Sequence, residues 1–309
     1  MKAKLINKTH IEGYLYQHSL EMKESGPNSK NPGTVFITGN VEIATDNAMT
    51  NIVTVHYTYT TATTSTGKTN STFNILKDII EGKLACAIKS GAENAATLSI
   101  DSAIGLNEFY SDRNGQEELV STKRNEGGFI TVVSTVNEDE TKRNTFDVDM
   151  VITGTRMIEA DAEKDLPEKL IVKGGIFDFR KSLLPVEFSV LNPNAISYFE
   201  GLGASQTEPV FTRLQGRQIS EVVKRCVEEK SAFGEPILKE FTNTRKDYVI
   251  TWAAAEPYLW DDESGITASE MKKAMEERAT YLATIKARQD EYKASKGQAA
   301  APAAGGFNF

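Results

Sequence analysis

Two cysteines, Cys86 and Cys226, and three histidines, His10, His18 and His56, are all that 309 residues offer for disulfide or soft-metal chemistry. So few separated ligands assemble neither a disulfide framework nor a Cys/His zinc cluster, and both cysteines read as small buried hydrophobes. No run approaches the roughly 18 to 20 apolar residues of a membrane span, and Met1-Lys2-Ala3-Lys4-Leu5 lacks the apolar core of a signal peptide. The chain is expected to work in a cytoplasm, without a membrane. A basic excess is missing too, since 35 Lys and Arg stand against 43 Asp and Glu for a net charge of −8. That weighs mildly against nucleic acid but leaves local basic clusters open.

Catalytic signatures are also lacking. No Gly-x-Ser-x-Gly elbow, His-Glu-x-x-His or Cys-x-x-Cys occurs. Ser65-Thr66-Gly67-Lys68-Thr69 ends like a phosphate-binding loop, but Ala62 stands where that loop needs its first glycine, so the segment reads as a turn between strand and helix. The acid pairs Asp147/Asp149 and Asp261/Asp262 have no basic or His companion that suggests a site and read as solvated surface. No metal, cofactor or enzymatic activity is expected.

What is present before residue 255 reads mainly as strand, and it does so twice. Ile11 to Tyr16, Ile37 to Ile43 and Asn51 to Thr60 alternate as three strands, Phe73 to Gly82 is a short amphipathic helix with a glycine stop, and Thr97 to Phe109 and Gly128 to Val136 are strands again. The second pass runs Ile152 to Met157, Val172 to Phe179, Pro185 to Leu191, a short helix from Asn194 to Gly201, then Val210 to Val227 and Lys239 to Trp252. Strand, strand, strand, helix, strand, strand is the order of the OB barrel, with its helix between the third and fourth strands. Another pair of β-sandwiches or barrels is the competing architecture. Glycines inside the first two strands of each copy suit a barrel that bends sharply. Asn107 to Arg124 is charged and loop-like and reads as an insertion.

The expected organisation is a mainly β chain with two OB-like five-stranded barrels over residues 1–142 and 143–255. An acidic linker and amphipathic helix over 256–296 and a disordered C-terminal tail over 297–309 follow. Thr267-Ala268-Ser269-Glu270 forms a capping box for that helix. Its apolar stripe (Met271, Met275, Leu282, Ile285, Tyr292) is broken by Arg278 and Gln289, so it either docks on the body or pairs with another copy as a homo-oligomer. The Ala/Gly/Pro-rich tail holds two large apolar side chains, Phe307 and Phe309.

An OB barrel binds single strands across its second and third strands, stacking bases on aromatics beside Lys and Arg. In the second copy the candidates are Phe177 and Phe179 with Arg180 and Lys181 at the following turn, and Phe211, Arg213 and Arg217 alternating onto one face. The basic pairs Lys224-Arg225 and Arg245-Lys246 add to them. In the first copy Tyr14 and Tyr16 share an outward face, and Phe36 and His56 sit out of phase with their strands' apolar sets. Each Phe is also a candidate for core, and each Arg for an ordinary solvated face.

This layout, with the phrase Lys173-Gly174-Gly175-Ile176-Phe177-Asp178-Phe179, the run Glu256 to Asp262 and a flexible tail with Phe309, resembles phage-encoded single-stranded DNA-binding proteins. The resemblance is strongest from Asp147 to Asp262. It implies non-enzymatic, sequence-independent binding of single-stranded DNA in phage replication, recombination or repair, inside a bacterial host. It also implies a tail that recruits replication proteins, although Phe307-Asn308-Phe309 has no acid beside it, which departs from the family's pattern. The competing reading is a phage virion or tail structural protein built from duplicated β-domains, and a third is an enzyme or adaptor of another kind.

Overall fold

The computed structural model describes residues 5–113, 116–161, 167–229, 233, 237–261 and 265–299, with side chains described except at 112, 113, 116, 221–229, 237–245 and 295–299. The first half runs β1 (Asn7–His18), β2 (Glu21–Glu24), β3 (Val35–Ala44), β4 (Ile52–Thr61), α1 (Ser71–Ile80), the short α2 (Ala87–Ser90), β5 (Thr97–Arg113) and β6 (Gln116–Val132). The second runs β7 (Asn144–Ile158), β8 (Lys169–Phe177), β9 (Leu183–Val190), α3 (Pro193–Gly201), β10 (Val210–Glu229) and β11 (Ile237–Ala253), and α4 (Ala268–Ala299) follows.

Strand alternation turns the apolar side inward. On β4, Val53, Val55 and Tyr57 are buried while Thr54 and His56 face out. β1 pairs antiparallel with β3 and β5, β3 with β4 and β5 with β6, and a parallel contact of β4 with β6 closes the ring. The same closure recurs as β7 with β8 and β10, β8 with β9, β10 with β11, and a parallel contact of β9 with β11. Both are five-stranded barrels of OB order. α1 packs Phe73, Leu76 and Ile79 on the first core, and α3, capped by the Asn192 side chain with Pro193 in its first turn, packs Phe199 on the second. Gly39 sits at a bulge with φ 126°, where an added Cβ would lie 2.2 Å from the Ser19 carbonyl oxygen; at Gly174 it would lie 2.0 Å from that of Val151.

The barrels are joined through β1, which also pairs with β7 from Asn7↔Val148 to Ile11↔Asn144, so one 11-stranded sheet runs through both. A third apolar cluster lies outside the second barrel, where Phe177, Leu183 and Phe211 pack under Ile266, Met271 and Ala274 with Tyr258 and Trp260 beside them.

Two expectations change. Residues 107–124 are not an inserted loop, because β5 and β6 stay paired from Asn107↔Thr122 to Arg113↔Gln116 as a projecting two-stranded arm. Outside the barrel such an arm has no apolar interior, so its sequence loses the alternation that marks a strand. α4 does begin at the capping box, where the Thr267 N–H meets Glu270 Oε2 at 3.0 Å and the Glu270 N–H meets Thr267 Oγ1 at 3.3 Å. Beyond Met271 and Ala274, which pack on the second barrel, it docks through the very residues that break its stripe. Arg278 grips Glu108 with both terminal nitrogens, and the Gln289 amide binds both backbone groups of Tyr110 on the arm. Phe307 and Phe309 lie outside the described residues.

Candidate nucleic-acid interface

A cleft of about 1400 Å³ opens between the barrels. Its first wall is the outer face of β3 and β4, carrying Asn40, Glu42, Thr54 and His56, and its second is the outer face of β8 and β9, carrying Lys173, Pro185 and Glu187. These are the second and third strands of each barrel. β6 adds Lys123 and Arg124 at the base of the arm and Asn125 where it closes the barrel, β11 adds Lys246 and Tyr248, and α4 adds Arg278 and Leu282 at the border.

Basic and acidic side chains alternate around the cleft, and most are engaged. Lys173 lies 3.2 Å from Glu187, and Arg124 Nε donates to Glu126 at 2.6 Å. Lys123 reaches from the first barrel's arm to the second barrel, donating to the Glu187 carbonyl and lying 5.6 Å and 5.1 Å from the ring centres of Phe188 and Tyr248. Burial holds its ammonium below the usual lysine range although Asp247 and Glu187 pull the other way. Burial also pushes the Tyr248 phenol up, so it stays a neutral donor. His56 Nδ1 is 2.8 Å from Asn40 Oδ1, and burial together with the Arg124 charge lowers its pKa, which keeps the ring neutral near pH 7. Burial alone would raise Asp247, but Lys169 at 2.6 Å and Ser189 at 2.7 Å reverse that and hold its carboxyl low.

The floor is a buried polar seam. Asn125 and Gln218 exchange two amide hydrogen bonds of 2.9 Å across the barrels, and Asn125 Nδ2 also reaches the Thr54 carbonyl at 3.0 Å. Asn144 donates to the Gln218 carbonyl at 2.6 Å and to Thr45 Oγ1 at 3.1 Å, while Asn51 Oδ1 accepts the Ser220 N–H at 2.6 Å. Such bonds are directional, so the seam sets one relative orientation of the two walls.

Of the residues singled out from sequence, His56 and Lys246 line the cleft. Phe36 sits farther along the outer face of β3 and packs on Tyr59 at 4.5 Å, with Tyr59 48% exposed. Tyr14 and Tyr16 are half-buried on β1 and take no part in the cleft, the Tyr14 hydroxyl lying 3.5 Å from Asn47 Oδ1. Phe177 and Phe211 are corrections, with 1% and 0% exposure. Both point outward from the second barrel as the alternation requires, but Tyr258, Trp260 and the start of α4 cover that face and turn it into core. Phe179 is 83% exposed at the β8–β9 turn with the Arg180 guanidinium 5.0 Å from its ring, and Lys181 donates to the Gly265 carbonyl at 3.0 Å, away from the cleft.

Arg213 and Arg217 also lie outside the cleft lining and contact other parts of the chain. Arg213 holds Asp147 through two bonds of 2.8 Å and 2.6 Å, which raises its pKa further, and Arg217 is half-buried beside the Glu140 carbonyl at 3.5 Å. Of the acids read as solvated, Asp147 and Asp149 are thus engaged, and Asp262 lies outside the described residues. Asp149 is buried, accepting from the Ile6 N–H at 2.7 Å and the Tyr258 hydroxyl at 3.2 Å, and burial raises its carboxyl pKa. Lys224, Arg225 and Arg245 fall on the paired β10–β11 arm, but their side chains lie outside those described. Missed from sequence were Lys123-Arg124, hidden in the supposed insertion, and Lys173 and Tyr248, whose signal was a polar phase within a strand. Among the described residues no three His, Cys, Asp or Glu side chains converge as a metal site, and no helix is long and apolar enough to cross a membrane.

The family model described as YorF matches residues 5–288. No curated protein matches the chain. A crystal structure of a deletion mutant of the single-stranded DNA binding protein from Thermus aquaticus is similar at 9% identity and a TM-score of 0.43, covering 84% of this chain and 97% of that one. A replication protein A heterotrimer bound to single-stranded DNA is similar at 10% identity and a TM-score of 0.21, covering 90% of this chain and 70% of that one.

Proposed function

The chain belongs to the YorF family, and from its cleft we propose that it binds single-stranded DNA without base preference, as a binding protein and not a catalyst. The observation that carries the reading is the convergence of both barrels' second and third strands on one cleft, with Lys123, Arg124, Lys173 and Lys246 beside His56 and Tyr248. A single strand offers an unpaired π-face on every base and a phosphate at every step, and aromatic and cationic side chains along a groove meet both without reading sequence. A duplex has its bases already stacked. The near balance of charge in the cleft predicts modest affinity with a shallow salt slope, because few cations are free to release counterions.

The test is fluorescence anisotropy of labelled oligo-dT and of the matching duplex at two salt concentrations. Preferential binding of oligo-dT that weakens with salt is expected; a flat oligo-dT titration at low salt refutes the reading. The sequence resemblance to phage proteins supports a role in replication, recombination or repair, and Phe307 and Phe309 are assigned to recruiting a replication partner. Deleting Phe307 to Phe309 is expected to spare oligo-dT affinity while abolishing partner capture, and equal capture by both forms counts against the recruiting role.

A further inference from the structure

α4 bridges the barrels beside the cleft and is held at two places of different character. Its first turns are rooted in the second barrel, where Met271 and Ala274 are buried against Phe177, Leu183 and Phe211. Farther along it grips the first barrel's arm. The Arg278–Glu108 pair there is desolvated, with side chains 11% and 2% exposed, and it acts as a fixed pin, since parting a buried pair strands a charge. Beyond it, Glu117 of the arm takes an ion pair from Lys286 and another, 2.9 Å long, from Lys293, and Lys286 also lies 3.6 Å from Asp290. These lysines are 46% and 45% exposed, so salt and competing anions reach them. One carboxylate held by two exposed ammonium groups on a helix is the arrangement a backbone phosphate would adopt there.

We propose that α4 is a strap beside the cleft whose distal latch is an internal mimic of an anionic strand, Glu117 occupying Lys286 and Lys293 until phosphates displace it. The ligand's identity as single-stranded DNA rests on the function proposed above; the latch itself requires only a polyanion. Displacement swaps one acceptor for another on the same two lysines and removes the charged part of the distal hold, which leaves the uncharged Gln289–Tyr110 hydrogen bonds to fray and lets the helix beyond Arg278 part from the arm. A freed stretch of that length is marginal as an isolated helix, so release appears as faster amide exchange.

The experiment is hydrogen exchange on the full chain, comparing residues 271–278 with 286–294 at about 50 mM and about 500 mM NaCl, a range over which screening shortens to a few ångströms. A parallel arm adds inorganic polyphosphate at constant ionic strength. Distal exchange should rise on the order of tenfold with salt and with polyphosphate while the root stays protected, and Glu117→Gln should show the released pattern already at low salt. Oligo-dT affinity should then move in opposite directions, several-fold tighter for Glu117→Gln and weaker for the pair Lys286→Ala and Lys293→Ala. Distal exchange indifferent to salt, polyphosphate and Glu117→Gln overturns the latch, as do affinity changes of the same sign in both variants. Release by polyphosphate without any oligo-dT binding upholds the latch and sinks the DNA reading; oligo-dT binding with an immobile α4 does the reverse.

Discussion

Replacing Gln218 by Leu tests whether the polar seam holds the two barrels in register. The substitution keeps similar volume but removes the donor to Asn125 Oδ1 and one of the two acceptors of Asn125 Nδ2, which keeps the Thr54 carbonyl at 3.0 Å. One buried acceptor and one of the two amide N–H groups of Asn125 are thereby orphaned, at a cost of about 1–3 kcal/mol. Asn125→Leu strips both partners from the Gln218 amide and also the Thr54 contact, so it belongs at the upper end of that range. In the double variant no amide is left facing an apolar side chain, and the loss should be smaller than the sum of the singles by about 1–2 kcal/mol. Urea denaturation of the four proteins closes the cycle; in thermal melts each kcal/mol corresponds to roughly 2–4 °C for a chain of this size class. Oligo-dT affinity should fall alongside, because the walls of the cleft lose their fixed orientation. Additivity within about 0.5 kcal/mol would show that the two amides do not act as a pair and would refute the seam argument.

Lys123→Met should hold or raise the melting temperature, since burial already disfavours the charge, while flattening the salt slope of oligo-dT binding by about 0.7 for one lost phosphate contact; an unchanged slope removes Lys123 from the interface. Arg213→Ala should leave oligo-dT affinity unchanged and cost about 0.2–1 kcal/mol of stability through Asp147, as measured by denaturation; a drop in affinity restores Arg213 to the binding surface. Asp247→Asn probes a carboxyl held below its usual value of 3.8, whose stabilisation is present above the unfolded pKa and is lost as the pH falls through the lower folded one. The variant should be weaker by about 1–2 kcal/mol at neutral pH, with the gap closing below about pH 4. A gap that persists in acid means that Lys169 and Ser189 do not stabilise the charged form.

The duplicated barrel order was legible because it rests on local periodicity. The two-residue alternation of β4, the i, i+3 spacing of Phe73, Leu76 and Ile79 in α1 and the Thr267/Glu270 box of α4 all act over a few residues, and each stands where the pattern put it. Alternation also offered Phe177 and Phe211 as candidates for the outer side of the second barrel, beside the reading of each as core. Whether that side meets solvent is settled by Tyr258, Trp260 and α4, which return from far along the chain to cover it. The β5–β6 arm escaped notice for the converse reason, since a ribbon without an interior leaves no apolar phase to read. The cleft is tertiary throughout. Asn125 and Gln218 meet across 93 residues, Arg278 reaches Glu108 across 170, and Lys123 finds Tyr248 on another barrel. Sequence by itself determined the barrel elements and their order, and the faces of the strands that carry an apolar phase, because those follow from backbone geometry within a turn or a strand. Which outward faces are buried, paired or left open to a ligand follows from how the barrels dock, and that is decided by contacts between residues remote in the chain.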